Sequence, residues 1–193
     1  SELGAEAETG PQPGEVPIHT AFAFQAKRHP FRSTFRDADG TAVRNFELLV
    51  RSLLLSRRIR ELDEAGSGYV GVLLPNCSIM TALMLGVQFA DRTPAVINFS
   101  AGAEVALEAA RRAGIRHILT SRKFLEKLGW KPTPEMLFLE DVAKQVTPEE
   151  KRRVLLLAIL LPRRMLVRHF APLSGFNVRH EAVLLFSSGS TGR

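Results

Sequence analysis

The sequence predicts an α/β protein built on a parallel, doubly wound sheet flanked by helices, and three observations carry that prediction. Strand-like and helix-like patterns alternate at short intervals from residue 69 to residue 139, the signature of successive βαβ units. Residues 69–74, Tyr69-Val70-Gly71-Val72-Leu73-Leu74, form a nearly continuous apolar run, as expected of a strand covered on both faces. The 193 residues are 45% hydrophobic and 24% charged, ordinary globular proportions with enough apolar side chain for a core.

Each element has its own warrant. Residues 1–17 are rich in Gly, Pro, Glu and Ala and nearly devoid of large apolar side chains, so burial cannot offset the entropy of ordering and the segment reads as a flexible linker. Apolar positions in 18–29 fit a short amphipathic helix stopped by Pro30. Residues 31–36 and 41–44 read as two strands of a hairpin whose turn, 37–40, supplies Asp and Gly. Phe46, Leu49, Val50, Leu53 and Leu54 recur at helical spacing, with Asn45 in position to cap that helix and Gly66 and Gly68 to end it. After the strand at 69–74, Pro75 and Asn76 open a helix over 77–90. A strand at 94–99, a helix at 103–113, a strand at 116–120, a helix at 121–128 and a strand at 136–139 keep the beat.

Residues 147–170 break the rhythm. The run 154–161 holds eight apolar residues without interruption, between Lys151, Arg152 and Arg153 on one side and Arg163, Arg164 and Arg168 on the other. It reads as a helix, far short of the ~20 apolar residues that span a bilayer, with Pro162 bending the chain beyond it. Two readings stay open: a helix packed in the core or against a partner, or docking of residues 151–168 on an anionic membrane surface, which basic flanks favour.

Composition excludes several functions. The formal charge of +6 would attract phosphates. Yet the arginines are scattered along helical faces, and the aromatics do not interleave with them as a single-strand binding platform requires, so nucleic acid is not an expected partner. Cys77 is the one cysteine, which rules out a disulfide framework or Cys-based zinc site within the chain, and it has neither a neighbouring His nor a polar setting to make it a nucleophile. His19, His29, His117, His169 and His180 lack HExxH or short paired spacing, so they read as surface or capping residues and no metal site is expected. Glu140-Asp141 and Glu149-Glu150 stand near helix starts, where they favour the helix dipole rather than acid–base work. No basic start followed by an apolar stretch marks a signal peptide, and with the lone cysteine this gives the expectation of a cytoplasmic protein.

The chemistry-bearing segment is the last one. Residues 182–186 read as a strand running straight into Ser187-Ser188-Gly189-Ser190-Thr191-Gly192-Arg193. Backbone N–H groups and hydroxyls in such a bend can hold phosphate, and glycines admit close approach. The spacing is that of neither the GxxxxGK[ST] nor the GxGxxG loop. Its position directly after a buried strand favours a phosphate loop over a disordered end. Phe186-Ser187-Ser188-Gly189-Ser190-Thr191-Gly192 resembles the first seven positions of the phosphate-binding signature of AMP-forming, acyl-activating (adenylate-forming) enzymes, in which Pro-Lys-Gly comes next: acyl-CoA synthetases, firefly luciferase and peptide-synthetase adenylation domains. Val70-Gly71-Val72-Leu73-Leu74-Pro75-Asn76, the apolar helix after it and Thr93-Pro94-Ala95-Val96-Ile97-Asn98 resemble the early strand-helix-strand region of the same superfamily. Residues 94–101, Leu119-Thr120-Ser121-Arg122-Lys123-Phe124-Leu125 and Phe138-Leu139-Glu140-Asp141 look most like the acyl-ACP synthetase half of bacterial bifunctional acyl-ACP synthetase/2-acylglycerophosphoethanolamine acyltransferases. The resemblance runs from about residue 18 to the end.

That resemblance implies a linker at 1–17 and then, at 18–193, the amino-terminal part of an adenylating domain ending in its phosphate loop. It implies ATP and Mg2+ as cofactors, a fatty acid substrate, acyl carrier protein or CoA as thiol acceptor, an acyltransferase domain ahead of the linker, phospholipid acylation as the outcome and a place at the inner membrane. Ser187, Ser188, Ser190 and Thr191 would donate hydroxyl hydrogen bonds to the phosphates, and Gly189 and Gly192 would let the backbone fold around them; Arg193 receives no role. The signature's lysine, the adenine- and Mg2+-binding motifs, the ribose-binding aspartate and the mobile carboxy-terminal domain with its catalytic lysine would lie beyond residue 193. No catalytic residue is therefore expected within 1–193, and the chain alone is expected to be inactive. Two rivals remain: a non-catalytic nucleotide-binding module and a membrane-surface docking module.

Overall fold

The computed structural model describes residues 15–37, 40–62 and 68–186. Most of the expected linker, residues 1–14, and the expected phosphate loop, residues 187–193, lie outside them. The chain begins with helix α1 (Ile18–Arg28) and a hairpin, β1 (Ser33–Arg36) and β2 (Ala42–Arg44), paired antiparallel. Helix α2 (Asn45–Arg60) comes next without a break. Asn45 does not cap it as expected: it is the first helical residue, 1% exposed, and its side chain accepts from Thr34 Oγ1 and donates to His29 O at 3.3 Å. It joins the hairpin to the end of α1 instead.

The alternating region forms as its pattern predicts. Strand β3 (Tyr69–Leu73) leads to α3 (Ser78–Phe89), β4 (Thr93–Val96), α4 (Ala103–Arg112), β5 (Ile118–Thr120), α5 (Arg122–Leu128) and β6 (Met136–Phe138). Helix α6 (Leu139–Gln145), α7 (Pro148–Leu160) and α8 (Arg163–Phe170) then carry the chain across to β7 (Leu184–Leu185). The strands form one sheet in the order β6-β5-β3-β4-β7, with every pairing parallel.

Three boundaries depart from expectation. The strand expected over 94–99 ends at Val96, because the Asn98 side chain accepts from Ser100 N at 3.1 Å and turns 99–101 into a 3-10 turn. Leu139 belongs to α6, a helix that the sequence pattern does not announce, with Glu140 and Asp141 in its first turn. The strand expected at 182–186 shrinks to two residues at the sheet edge; Leu184 is half-buried and Leu185 is 67% exposed, so it is not the buried strand expected.

Alternation along β3 sorts the core onto the sheet's two faces. Val70, Val72 and Leu74 pack with Leu83, Val87 and Ile59 of α3 and α2, whereas Leu73 packs with Ile118, Ala95 and Leu107 on the α4–α5 side. A third cluster joins α1, α2, α3, α7 and α8 through Leu49, Leu53, Phe89, Leu166 and Phe170. Helices α2 and α3 cross at Gly86, where a Cβ would meet Leu55 Cβ and Ser52 O at 3.0 Å each. The buried hydroxyls at this crossing are satisfied within α2, Ser52 donating to Leu48 O and Ser56 to Leu53 O, both at 2.8 Å.

Helix α7 starts with Thr147 accepting from Glu150 N at 3.1 Å and Pro148 in its first turn, and it stops at Pro162. The apolar run is buried on one side only: Val154 and Ala158 are fully covered, while Leu155, Leu156, Ile159 and Leu160 stand in solvent. No helix of the described residues is long and apolar enough to cross a membrane.

Candidate functional site

In open α/β sheets, ligands bind beyond the carboxyl ends of the strands, where backbone and loop donors converge. At this rim most polar groups are already engaged by the chain itself. Beyond β3, the amide and hydroxyl of Ser78 both donate to the Asp37 carboxylate at 2.6 Å. The first turn of α3 thus holds an intramolecular anion where a dinucleotide fold would hold pyrophosphate. Beyond β5, Thr120 donates to Leu73 O at 2.8 Å within the core, and Ser121 caps α5 by accepting from Phe124 N at 3.2 Å.

Between β5 and β6, Arg122 is held by a bidentate pair with Asp141, by the bond from its amide to Glu140 Oε1 at 2.9 Å, and by the Phe138 ring 4.4 Å beneath its guanidinium. The Asp141 carboxyl is pulled below the ordinary carboxylate range, chiefly by this Arg122 hydrogen bond. These acids therefore serve helix start and ion pair together.

The remaining exit is that of β7. Its register on β4, Ala95 opposite Leu184 and Val96 opposite Leu185, aims the chain at the carboxyl rim beside residues 97–101. Ile97 N still donates to Val72 O at 3.0 Å, so β4 stays anchored to the sheet up to this point. Ser187, Ser188, Gly189, Ser190, Thr191 and Gly192 come directly after it in the chain and lie outside the described residues.

The opposite rim is built differently, and sequence reasoning missed it. Asp91, the residue after α3's terminal turn, adopts φ 60. Its Oδ1 accepts from Leu173 N at 3.2 Å, Ser174 N at 2.8 Å and Ser174 Oγ at 2.7 Å, and its Oδ2 pairs with Arg60 at 3.4 Å. Arg60 also donates to Phe89 O and Phe170 O, tying the ends of α2, α3 and α8. His19 lies 3.4 Å from Ser174 Oγ and is 2% exposed, so it is neither the surface nor the capping residue expected. Burial first, then the nearby His180, push its pKa down to about 4, with Asp91 opposing.

The Ser174 hydroxyl lies 2.7 Å from Asp91 Oδ1 and 3.1 Å from Gln88 O, both nearer than His19 Nε2, so its proton has closer acceptors than the imidazole that a hydrolytic triad would use. A cavity of about 310 Å3 lined by His19, Gln88, His180 and Ala182 opens beside this node, at the amino ends of β4 and β7 and away from the carboxyl end of β7. Cys77 is half-buried just ahead of α3, and no group of three or more His, Cys, Asp or Glu able to hold a metal exists among the described residues.

No family model matches the chain. Solved structures do. VinN superposes with a TM-score of 0.62 at 19% identity, over 92% of this chain and 44% of VinN. The nonribosomal peptide synthetase FmoA3, in an AMPPNP-bound form, gives 0.60 at 17% identity over 74% of this chain and 15% of that one. The N-terminal domain of FACL13 from Mycobacterium tuberculosis, bound to an inhibitor, gives 0.56 at 13% identity over 72% and 36%. The chain spans less than half the length of each. What is common at these identities is the architecture: the chain shares with the matched parts of these structures an α/β fold, a parallel sheet flanked by helices.

Proposed function

We propose that this chain supplies the phosphate-gripping part of an enzyme that activates a carboxylate with ATP, releasing pyrophosphate and leaving an acyl adenylate. The observation that supports the reading is the parallel pairing of β7 with β4, since β7 runs toward the carboxyl rim and the hydroxyl- and glycine-rich residues come next in the sequence. The engaged Asp37–Ser78 pair supports it, since the rival anion site at the start of α3 is filled by the chain itself. The fold it shares with a peptide synthetase crystallised with AMPPNP and with α-methyl-L-serine-AMP supports it further.

The carboxylate oxygen attacks the α-phosphorus; a C–O–P bond forms, the α–β anhydride bond breaks, and its electron pair leaves on pyrophosphate. Charge accumulates on the departing phosphates, so fixed donors there lower the barrier. Ser187, Ser188, Ser190 and Thr191 supply hydroxyl donors to that group, and Gly189 and Gly192 bring backbone N–H groups close. A magnesium ion bound with the nucleotide would neutralise part of its charge. The carboxylate is that of a fatty acid and the acceptor a carrier-protein or CoA thiol, readings that rest on the resemblance of residues 94–101, 119–125 and 138–141 to acyl-ACP synthetases.

The test is fatty-acid-dependent exchange of labelled pyrophosphate into ATP, assayed on the gene product that contains this chain. Exchange is expected, and Ser190→Ala combined with Thr191→Ala is expected to lower it about a hundredfold, as loss of transition-state donors does. Nucleotide binding without exchange would assign a regulatory module instead, and exchange indifferent to the double variant would remove the loop from the site.

A further inference from the structure

Helix α7 presents apolar residues on two faces, and only one has a partner within the described residues. Val154 and Ala158, both 0% exposed, face the cluster formed with α1 and α2. The helix is pinned on that side at both ends. Near its start Glu150 sits between Arg57 and Arg58, with Arg57 Nε at 3.0 Å from Oε1. At its end Lys27 of α1 donates to the carbonyls of Ala158 at 2.6 Å, Ile159 at 3.1 Å and Leu161 at 2.7 Å. Its orientation is therefore fixed, and none of the described residues covers the outward face.

That outward face carries Leu155, Leu156, Ile159 and Leu160, exposed by 41%, 55%, 55% and 72%. The pairs 155/159 and 156/160 stack four residues apart, giving one stripe roughly 140° wide. Phe31, 81% exposed, extends it, sharing with Leu155 a depression of about 320 Å3 that Arg44 and Arg51 also line. Met165 of α8 is another exposed apolar side chain beyond the Pro162 bend.

Cations frame the stripe. Lys151, Arg152 and Arg153 precede it and Arg163, Arg164 and Arg168 come after it, all exposed. Among the described residues none of the ion pairs involves Lys151, Arg152, Arg153 or Arg164. Glu150 is spent on Arg57 and Arg58, which leaves Glu149 as the one exposed carboxylate of α7. A surface with an apolar centre and uncompensated cations at both ends complements a layer that is anionic outside and apolar beneath. Nucleic acid offers the charge without the apolar layer.

We infer that the outer face of α7 and the start of α8 form a docking surface for an anionic lipid bilayer, with the leucines entering the interface and the arginines at headgroup level. A helix of 13 residues lies along such a surface rather than through it. The inference is independent of the adenylation reading, because vesicle binding needs neither nucleotide nor turnover.

Co-sedimentation of the chain with vesicles tests it. Binding to phosphatidylglycerol-containing vesicles at low salt is expected, with loss on phosphatidylcholine alone and in high salt. Arg152→Gln and Arg153→Gln should each weaken binding about fivefold. Leu156→Gln with Leu160→Gln should weaken it at least about tenfold with the far-UV spectrum and melting curve unchanged, since both side chains are exposed. Three results would overturn it: no binding to the anionic vesicles, binding indifferent to the leucine variants, or a concentration-dependent self-association that the leucine variants abolish, which would give the face to a second copy of the chain.

Discussion

The two ends of the parallel sheet solve opposite problems. At the amino ends of β3, β4 and β7, polar side chains tie elements together: Asp91 accepts from Leu173 N, Ser174 N and Ser174 Oγ and pairs with Arg60, Arg60 donates to Phe89 O, and Gln88 donates to Ala182 O beside the buried His19. At the carboxyl ends the engaged groups are caps, Asp37 on α3, Asn98 on the 99–101 turn and Ser121 on α5, and β7 runs parallel to β4 toward this end. The polar side chains of the amino end hold elements together, and the carboxyl end is where the proposed phosphate loop is assigned. Substitutions should therefore separate cleanly, amino-end changes appearing in unfolding and carboxyl-end changes in nucleotide handling.

The sharpest break in the comparison would come from Asp91→Ala. It removes an acceptor of three hydrogen bonds and the partner of Arg60, and it places alanine at φ 60. A loss of about 2–3 kcal/mol in urea unfolding is expected, from the hydrogen bonds to a charged acceptor and from alanine at positive φ; a loss under about 1 kcal/mol would deny that the node holds the amino end together.

Acid should act on the same node. The folded His19 has its pKa depressed from 6.5 to about 4, so below 6.5 the unfolded chain binds the proton more tightly. Stability contributed by the neutral ring is full above pH 6.5, falls as pH drops toward 4 and is gone below it, by on the order of 3 kcal/mol. Glu150 adds a second loss at lower pH: burial raises its pKa, but Arg57 and Arg58 outweigh that and hold it below the ordinary carboxylate value, so its contribution disappears as pH falls through the folded pKa. Denaturant midpoints across this range, with His19→Gln flattening the upper part, check the assignment.

A smaller effect is expected at the other end. Asp37→Ala exposes the first turn of α3 and should cost about 1 kcal/mol, the usual value of a lost amino-terminal cap, measured by the same unfolding curve. If the two ends differ as argued, it leaves pyrophosphate exchange within about twofold, since the phosphates are held elsewhere.

How much of this is legible in the sequence depends on the distance over which each feature is encoded. The sheet strand at 69–74 and helices α3 and α4 are local patterns, and their alternation also dictates parallel pairing. Helix α7 is legible only by halves: eight unbroken apolar residues announce a helix, but with no polar side to orient it nothing tells that Val154 and Ala158 turn inward and Leu156 and Leu160 outward. The amino-end node is invisible, because His19 and Ser174 are 155 positions apart and no periodicity links them. The one local hint is an aspartate after a helix, a residue type that tolerates positive φ. Strand β7 shows in its apolar residues yet reads as buried, since an edge strand packs one face only and its sequence does not say so. The residues of the proposed loop are read from type and order alone, and the register of β7 on β4 supplies the direction in which they leave the sheet.

Hydrogen exchange of the gene product with and without magnesium ATP tests the central claim most directly, because it reports where on this chain the phosphates are gripped. The account predicts slowed exchange at residues 187–192 and in the neighbouring 97–101 turn, with the amides around Asp91 and Ser174 unchanged. Protection at the amino-end cavity or at the first turn of α3, with none at 187–192, would contradict it.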